Sequence, residues 1–181
     1  MKVVVFTEFL DMVETAYSPD VVDDIIDASE LSTSGAYTAV GTYPASEMIA
    51  LVQALSERVD TPIPDLLSAY GAHLFDRFHQ LYPEFFGDTS DVLDFLQTIE
   101  SVIHAEVLKL YPDAQLPTID VERVAPDTLT LEYVSPRGMA DLAEGLIKGA
   151  LTHFDSQATV LREDLAQDGS SSRFVISREP A

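Results

Sequence analysis

"TIDVERVAPDTLTLEYVSPRG", residues 118–138, decides the fold. Apolar and polar residues alternate on both sides of Ala125, Pro126 and Asp127, which predicts two strands joined as a hairpin. Everything before this stretch has a different period. Residues 1–111 carry apolar side chains at spacings of three and four, broken at Pro or Gly, and predict helices over 2–17, 19–29, 45–59, 64–82 and 90–111. Pro19 behind Ser18 has the pattern of a first-turn proline after its N-cap; Pro44, Pro62 and Pro64 mark later boundaries, and Ser90 is placed to cap the long helix. Beyond the hairpin, "GMADLAEGLIKGALTHF" (138–154) predicts a helix with Met139, Leu142, Leu146, Ala150 and Phe154 on one side. "ATVLRED" (158–164) and "SRFVISR" (172–178) predict a second hairpin around a polar turn. The expected class is therefore α+β, with an N-terminal helical lobe (1–62) followed by a lobe (63–181) that contains a four-stranded antiparallel sheet and packed helices, in a single domain spanning 1–181.

Composition narrows the function. A formal charge of −21 argues against nucleic acid and anionic membrane as partners and favours basic protein surfaces. The absence of Cys removes disulfides, thiolate catalysis, iron–sulfur clusters and Cys-based zinc sites, leaving His and carboxylates as metal ligands. The opening "MKVVVFTEFLDMVE" is too short in its apolar run for a secretory signal, and no stretch reaches the length of a membrane span, so a cytoplasmic protein without membrane insertion is expected. The sequence has no phosphate-binding Gly loop, no dinucleotide fingerprint and no nucleophile elbow, and an enzyme is not expected.

Two constellations carry chemistry. On a helical wheel of 90–111, His104 falls beside Leu93, Val107, Leu108 and Tyr111, at the edge of the buried stripe. Such a residue is either a core histidine bonded to backbone or water, or a metal ligand; a neutral buried imidazole is the usual axial ligand of a haem iron whose other face stays open. On the second strand, Tyr133, Ser135 and Arg137 share one face with Leu129 and Leu131, so an apolar surface leads to three hydrogen-bond donors. Arg137 either pairs with one of the many acidic side chains or binds the carboxylates of a ligand. A macrocycle needs an apolar slot, an axial ligand and donors at the edge that carries its propionates, and the two constellations together supply all three. The Asp20, Asp23, Asp24, Asp27 row reads as a solvated helix face; Asp113, Asp120 and Glu122 surround a turn but lack a cation-loop spacing.

His104 in "IHAEVLKLYP" (103–112), Pro117 in "LP", and Tyr133-x-Ser135-x-Arg137 resemble the haem nitric oxide/oxygen-binding domain, H-NOX, related to the sensor domain of soluble guanylate cyclase. "GAYTAVGTYP" (35–44), "LYPEFF" (81–86) and "SPRGMADLAEGL" (135–146) are similar to the stand-alone bacterial members, and the resemblance runs along the whole chain. It implies a haem b (protohaem IX, iron) between the lobes, with His104 as proximal ligand, propionates on Tyr133, Ser135 and Arg137, Pro117 pressing on the macrocycle, and Val5, Phe9, Leu74 and Phe78 lining the distal side. Oxygen-binding members carry a distal tyrosine where this chain has Leu142, which implies binding of NO, and also CO, with exclusion of O₂. Tyr70 and His73 are the other donors close in sequence, with helical spacing turning them away from Leu74 and Phe78. The implied role is a gas sensor that passes its signal, through weakening of the iron–His104 bond, to a separate histidine kinase or cyclic-di-GMP synthase or phosphodiesterase. The alternatives are a haem enzyme consuming NO or peroxide, and a haem-free module that binds an acidic ligand.

Overall fold

The computed structural model describes residues 1–38 and 41–178, so part of the 35–44 stretch lies outside the described residues. Its helices are α1 (Val3–Ala16), α2 (Pro19–Ala28), α3 (Ala45–Val59), α4 (Ile63–Leu81), α5 (Val92–Gln97), α6 (His104–Leu110) and α7 (Ala140–His153). The strands are β1 (Thr118–Ala125), β2 (Thr128–Val134), β3 (Thr159–Asp164) and β4 (Ser171–Ser177). Both expected hairpins form, and they join through β2 and β4 into one antiparallel sheet of order β1-β2-β4-β3. Ser18 caps α2 with Pro19 behind it, its hydroxyl accepting the Val21 N–H. None of the described helices is long and apolar enough to cross a membrane.

Alternation places Leu129, Leu131 and Tyr133 of β2 on the same buried face as Phe174 and Ile176 of β4. This face packs with Ile147, Ala150 and Leu151 of α7 and with Val92, Leu93, Phe95 and Leu96 of α5 to form one core. A second core joins α1, α2, α3 and α4 through Phe6, Phe9, Val13, Ile25, Met48, Leu51 and Leu55. Helix α4 serves both, with Phe75 in the first and Leu66, Tyr70 and Leu74 in the second. The buried Glu47 fastens the segment after α2: its carboxylate accepts the Ser32 N–H at 3.1 Å, the Thr33 hydroxyl at 2.9 Å and the Tyr37 hydroxyl at 3.1 Å. Burial opposes ionisation there, but these bonds outweigh it and hold the carboxyl below its ordinary value.

Helix 90–111 is not continuous. Asp91, not Ser90, supplies the cap, accepting the N–H groups of Leu93 at 2.8 Å and Asp94 at 3.1 Å. After α5 the chain widens into a π segment, Ile99–Ile103, in which the His104 N–H bonds to Ile99 O, five residues back. The wider turn changes the phase between the two ends of the segment. A wheel drawn at a constant 100° therefore misplaces the last turn, and Leu108, expected in the buried stripe, is 43% exposed.

The crossing of α4 and α7 joins the two cores. A Cβ on Gly145 would stand 2.1 Å from Ser68 O and 2.9 Å from Gly71 Cα, and one on Gly71 would stand 2.3 Å from Leu142 O. Glycine is required here for close approach, since the obstructing atoms are backbone and cannot step aside. We expect Gly145→Ala to lower stability by about 1–3 kcal/mol through this overpacking. Urea unfolding with an unchanged midpoint would contradict the contact.

Candidate functional site

His104 opens α6, with its side chain 14% exposed. Ring Nδ1 lies 2.9 Å from Glu100 Oε2, and the same oxygen accepts the N–H of Ile119 at 3.2 Å. A carboxylate offers only acceptor positions, so Nδ1–H donates, and in the neutral ring Nε2 carries the lone pair. Ile119 is the register partner of Tyr133 across β1 and β2, so His104 is tied through Glu100 to the strand pair that carries Tyr133. Pro117, half-buried, immediately precedes β1. Sequence reasoning passed over Glu100, although its place one turn before the histidine was the available signal.

The donor face differs from the expected strand. β2 ends at Val134, and residues 135–138 form a turn in which the Ser135 hydroxyl accepts the Arg137 N–H at 3.3 Å and Gly138 takes φ +63°. Pro136 lacks the N–H that would continue a ladder, and the backbone turns instead of alternating. Arg137 therefore reaches the site through a turn, not from the face shared by alternate strand residues. The three side chains still converge: burial raises the Tyr133 phenol, while Ser135, the Met139 backbone and the Arg137 charge act in the opposite sense. Tyr133 and Ser135 are buried and Arg137 half-buried.

Arg137 is also set apart electrostatically. Every other Lys and Arg makes an ion pair with a carboxylate, whereas Arg137 makes none among the described residues. Its charge reaches another cation, the Met1 ammonium, whose proton affinity is lowered by burial first and then by Arg137. A half-buried guanidinium without a counter-charge, in a chain of net charge −21, suits an external anion.

The five apolar residues expected on the distal side all join the helical core: Phe9 and Leu74 are buried, and Val5, Phe78 and Leu142 pack against it. Leu142 lies where α7 meets α4 at Gly71. Tyr70 packs edge-on against Phe9, with ring centroids 5.1 Å apart, and donates its hydroxyl to Val5 O. Four residues before Leu74 on α4, it shares that residue's face, so the expectation that helical spacing turns it away does not hold; it stands beside Phe9 and Leu74 with its one donor already engaged. His73 borders a separate cleft with Asp11, Glu14, Thr15, Pro19 and Arg77. Asp113 is committed to Lys2 and Thr42, and no group of three or more potential ligand side chains suited to a metal ion occurs among the described residues.

This arrangement fits a haem: a histidine with Nε2 free for iron, apolar walls from two cores, and buried hydroxyls beside an unpaired guanidinium for propionates. Residues 2–162 match the family model described as haem-NO-binding. Over 100% of this chain and 98% of the other, the fold is similar to an Fe(II) unliganded H-NOX protein from K. algicida, at 41% identity and TM-score 0.94. An H-NOX from Shewanella woodyi in its Fe(II)CO state is 35% identical over 99% of this chain and 95% of that one, with TM-score 0.83. One from S. oneidensis in its Fe(II)NO state is 27% identical over 99% and 100%, with TM-score 0.91. Curated protein sequences give no match. The chain belongs to the haem-NO-binding family, the H-NOX domains, which are haem-based gas sensors.

Proposed function

We propose that this protein senses nitric oxide at a ferrous haem b held by His104, binds CO as well, discriminates against O₂, and regulates a separate signalling protein. The observation that carries the reading is the Arg137 guanidinium, without an ion pair among the described residues and gathered with Tyr133 and Ser135 at the end of β2, in the strand pair to which His104 is tied. A haem held there by His104, Tyr133, Ser135 and Arg137 would supply an iron able to bind a diatomic gas. The related structures in Fe(II)NO and Fe(II)CO states support the same ligand class for this chain.

Selectivity rests on what the distal residues lack. O₂ bound to ferrous iron gathers negative charge on its outer oxygen and is held by a buried donor; NO has no such requirement. Val5, Phe9, Leu74, Phe78 and Leu142 offer no donor, and Tyr70 spends its hydroxyl on Val5 O. The same set lacks an acid–base group, which favours a sensor over a haem enzyme.

His104 stands where a structural change would spread. Were His104 released from a bound haem, α6, whose C-terminal end runs into Tyr111 and Asp113, would be freed to move. Asp113 Oδ1 pairs with Lys2 Nζ at 2.5 Å, Asp113 Oδ2 accepts the Thr42 hydroxyl at 3.1 Å, and the Tyr111 and Tyr82 hydroxyls are 3.3 Å apart. A local event at His104 thus has a route into the helical lobe, where it biases one arrangement over another. A histidine kinase, or a cyclic-di-GMP synthase or phosphodiesterase, with a basic docking face suits the acidic surface; such docking weakens with salt.

Absorption spectra of the haem-loaded, reduced protein should stay unchanged in air and shift on adding NO, whereas Leu142→Tyr should bind O₂ measurably. A stable oxygen complex of the unsubstituted protein would overturn the selectivity. The signalling role predicts that a partner kinase or cyclic-di-GMP enzyme responds differently to the ferrous and NO-bound forms; equal activity with both, and with haem-free protein, would rule that role out.

A further inference from the structure

His104 is supported by a carboxylate that faces two ways. Glu100 Oε2 accepts from the ring Nδ1–H at 2.9 Å and from the Ile119 N–H at 3.2 Å. The first bond joins two side chains across the π segment; the second crosses to the strand that starts just beyond Pro117. Both bonds converge on one oxygen, so the ring orientation of His104 and the position of the Ile119 backbone are fixed against the same atom. The Glu100 side chain is 52% exposed, so solvent screens its longer-range field and its influence acts through these direct contacts.

We propose that Glu100 is the positioning residue of His104: its carboxylate fixes the Nδ1–H tautomer, strengthens donation from Nε2, and couples the ring to the approach of Pro117. The proposal rests on His104 as the iron ligand. A negatively charged partner on the distant ring nitrogen makes the other a better donor, as carboxylate–histidine pairs do in other metal sites. Glu100 thereby opposes release of His104 when a gas binds the opposite face, and sets how readily the sensor switches. Loss of the carboxylate also removes the acceptor of the Ile119 N–H, so a change in His104 and a change in how the Pro117 segment bears on the macrocycle should appear together.

Glu100→Gln retains an acceptor without the charge and is nearly isosteric; Glu100→Ala removes both. In the haem-loaded reduced protein, the resonance Raman iron–histidine stretch should fall from wild type through Gln to Ala, the reduction potential should rise in the same order, and haem-deformation modes should move with them. Haem transfer to an acceptor protein should be about 10-fold faster for the Ala variant. In haem-free protein, ¹⁵N shifts of the His104 ring should report a proton on Nδ1 that becomes delocalised between the nitrogens in the Ala variant. Identical stretch, potential and transfer rate in all three haem-loaded proteins would overturn the proposal and leave the haem assignment standing. A wild-type protein that takes up no haem would overturn both, and an Nε2–H tautomer in its haem-free form would overturn the proposal independently of haem.

Discussion

The backbone contact between α4 and α7 at Gly71 and Gly145 is the constraint on which the rest depends. It leaves no room for even a methyl group, so the two helices meet as surfaces of main chain. Through that crossing Phe75 of α4 reaches the sheet-side core while Leu74, its neighbour, reaches the helical core. Leu142 is set against α4 by the same contact, so its place in the helical core is a consequence of helix packing. Larger residues at these glycines would push α4 and α7 apart where the two cores meet.

Charge is distributed with comparable economy. Against an excess of carboxylates, nearly all the basic side chains are neutralised locally, and the one guanidinium without a counter-ion among the described residues stands beside two buried hydroxyls. That vacancy of charge, more than any pocket shape, is what points to an anionic group on the ligand. The histidine across the strand pair then has a counterpart: one end of the site suits iron and the other suits carboxylates, with apolar surface between.

Much of this was legible in the sequence because it follows from period and residue type. The switch from threes and fours to alternation at residue 118 located the sheet, and the Ser18–Pro19 pair marked a helix start that the structure reproduces. His104, Tyr133, Ser135 and Arg137 were picked out by chemistry that their surroundings did not otherwise require. What stayed hidden depended on departures from regular geometry. The π segment changes the helical phase just before His104, so Leu108 looked buried. The turn at 135–138 replaces alternation, so Arg137 arrives by a path that strand spacing did not describe. Gly71, which meets Gly145, gave no periodic signal because contact between helices depends on tertiary placement.

The most direct test of the account is the absorption spectrum of haem-reconstituted, reduced protein compared with that of His104→Ala, each with and without free imidazole. The account predicts a five-coordinate ferrous spectrum for the unsubstituted chain, loss of bound haem in the variant, and its recovery when imidazole fills the place of the missing ring. A His104→Ala protein with the same five-coordinate spectrum and no added imidazole would contradict it.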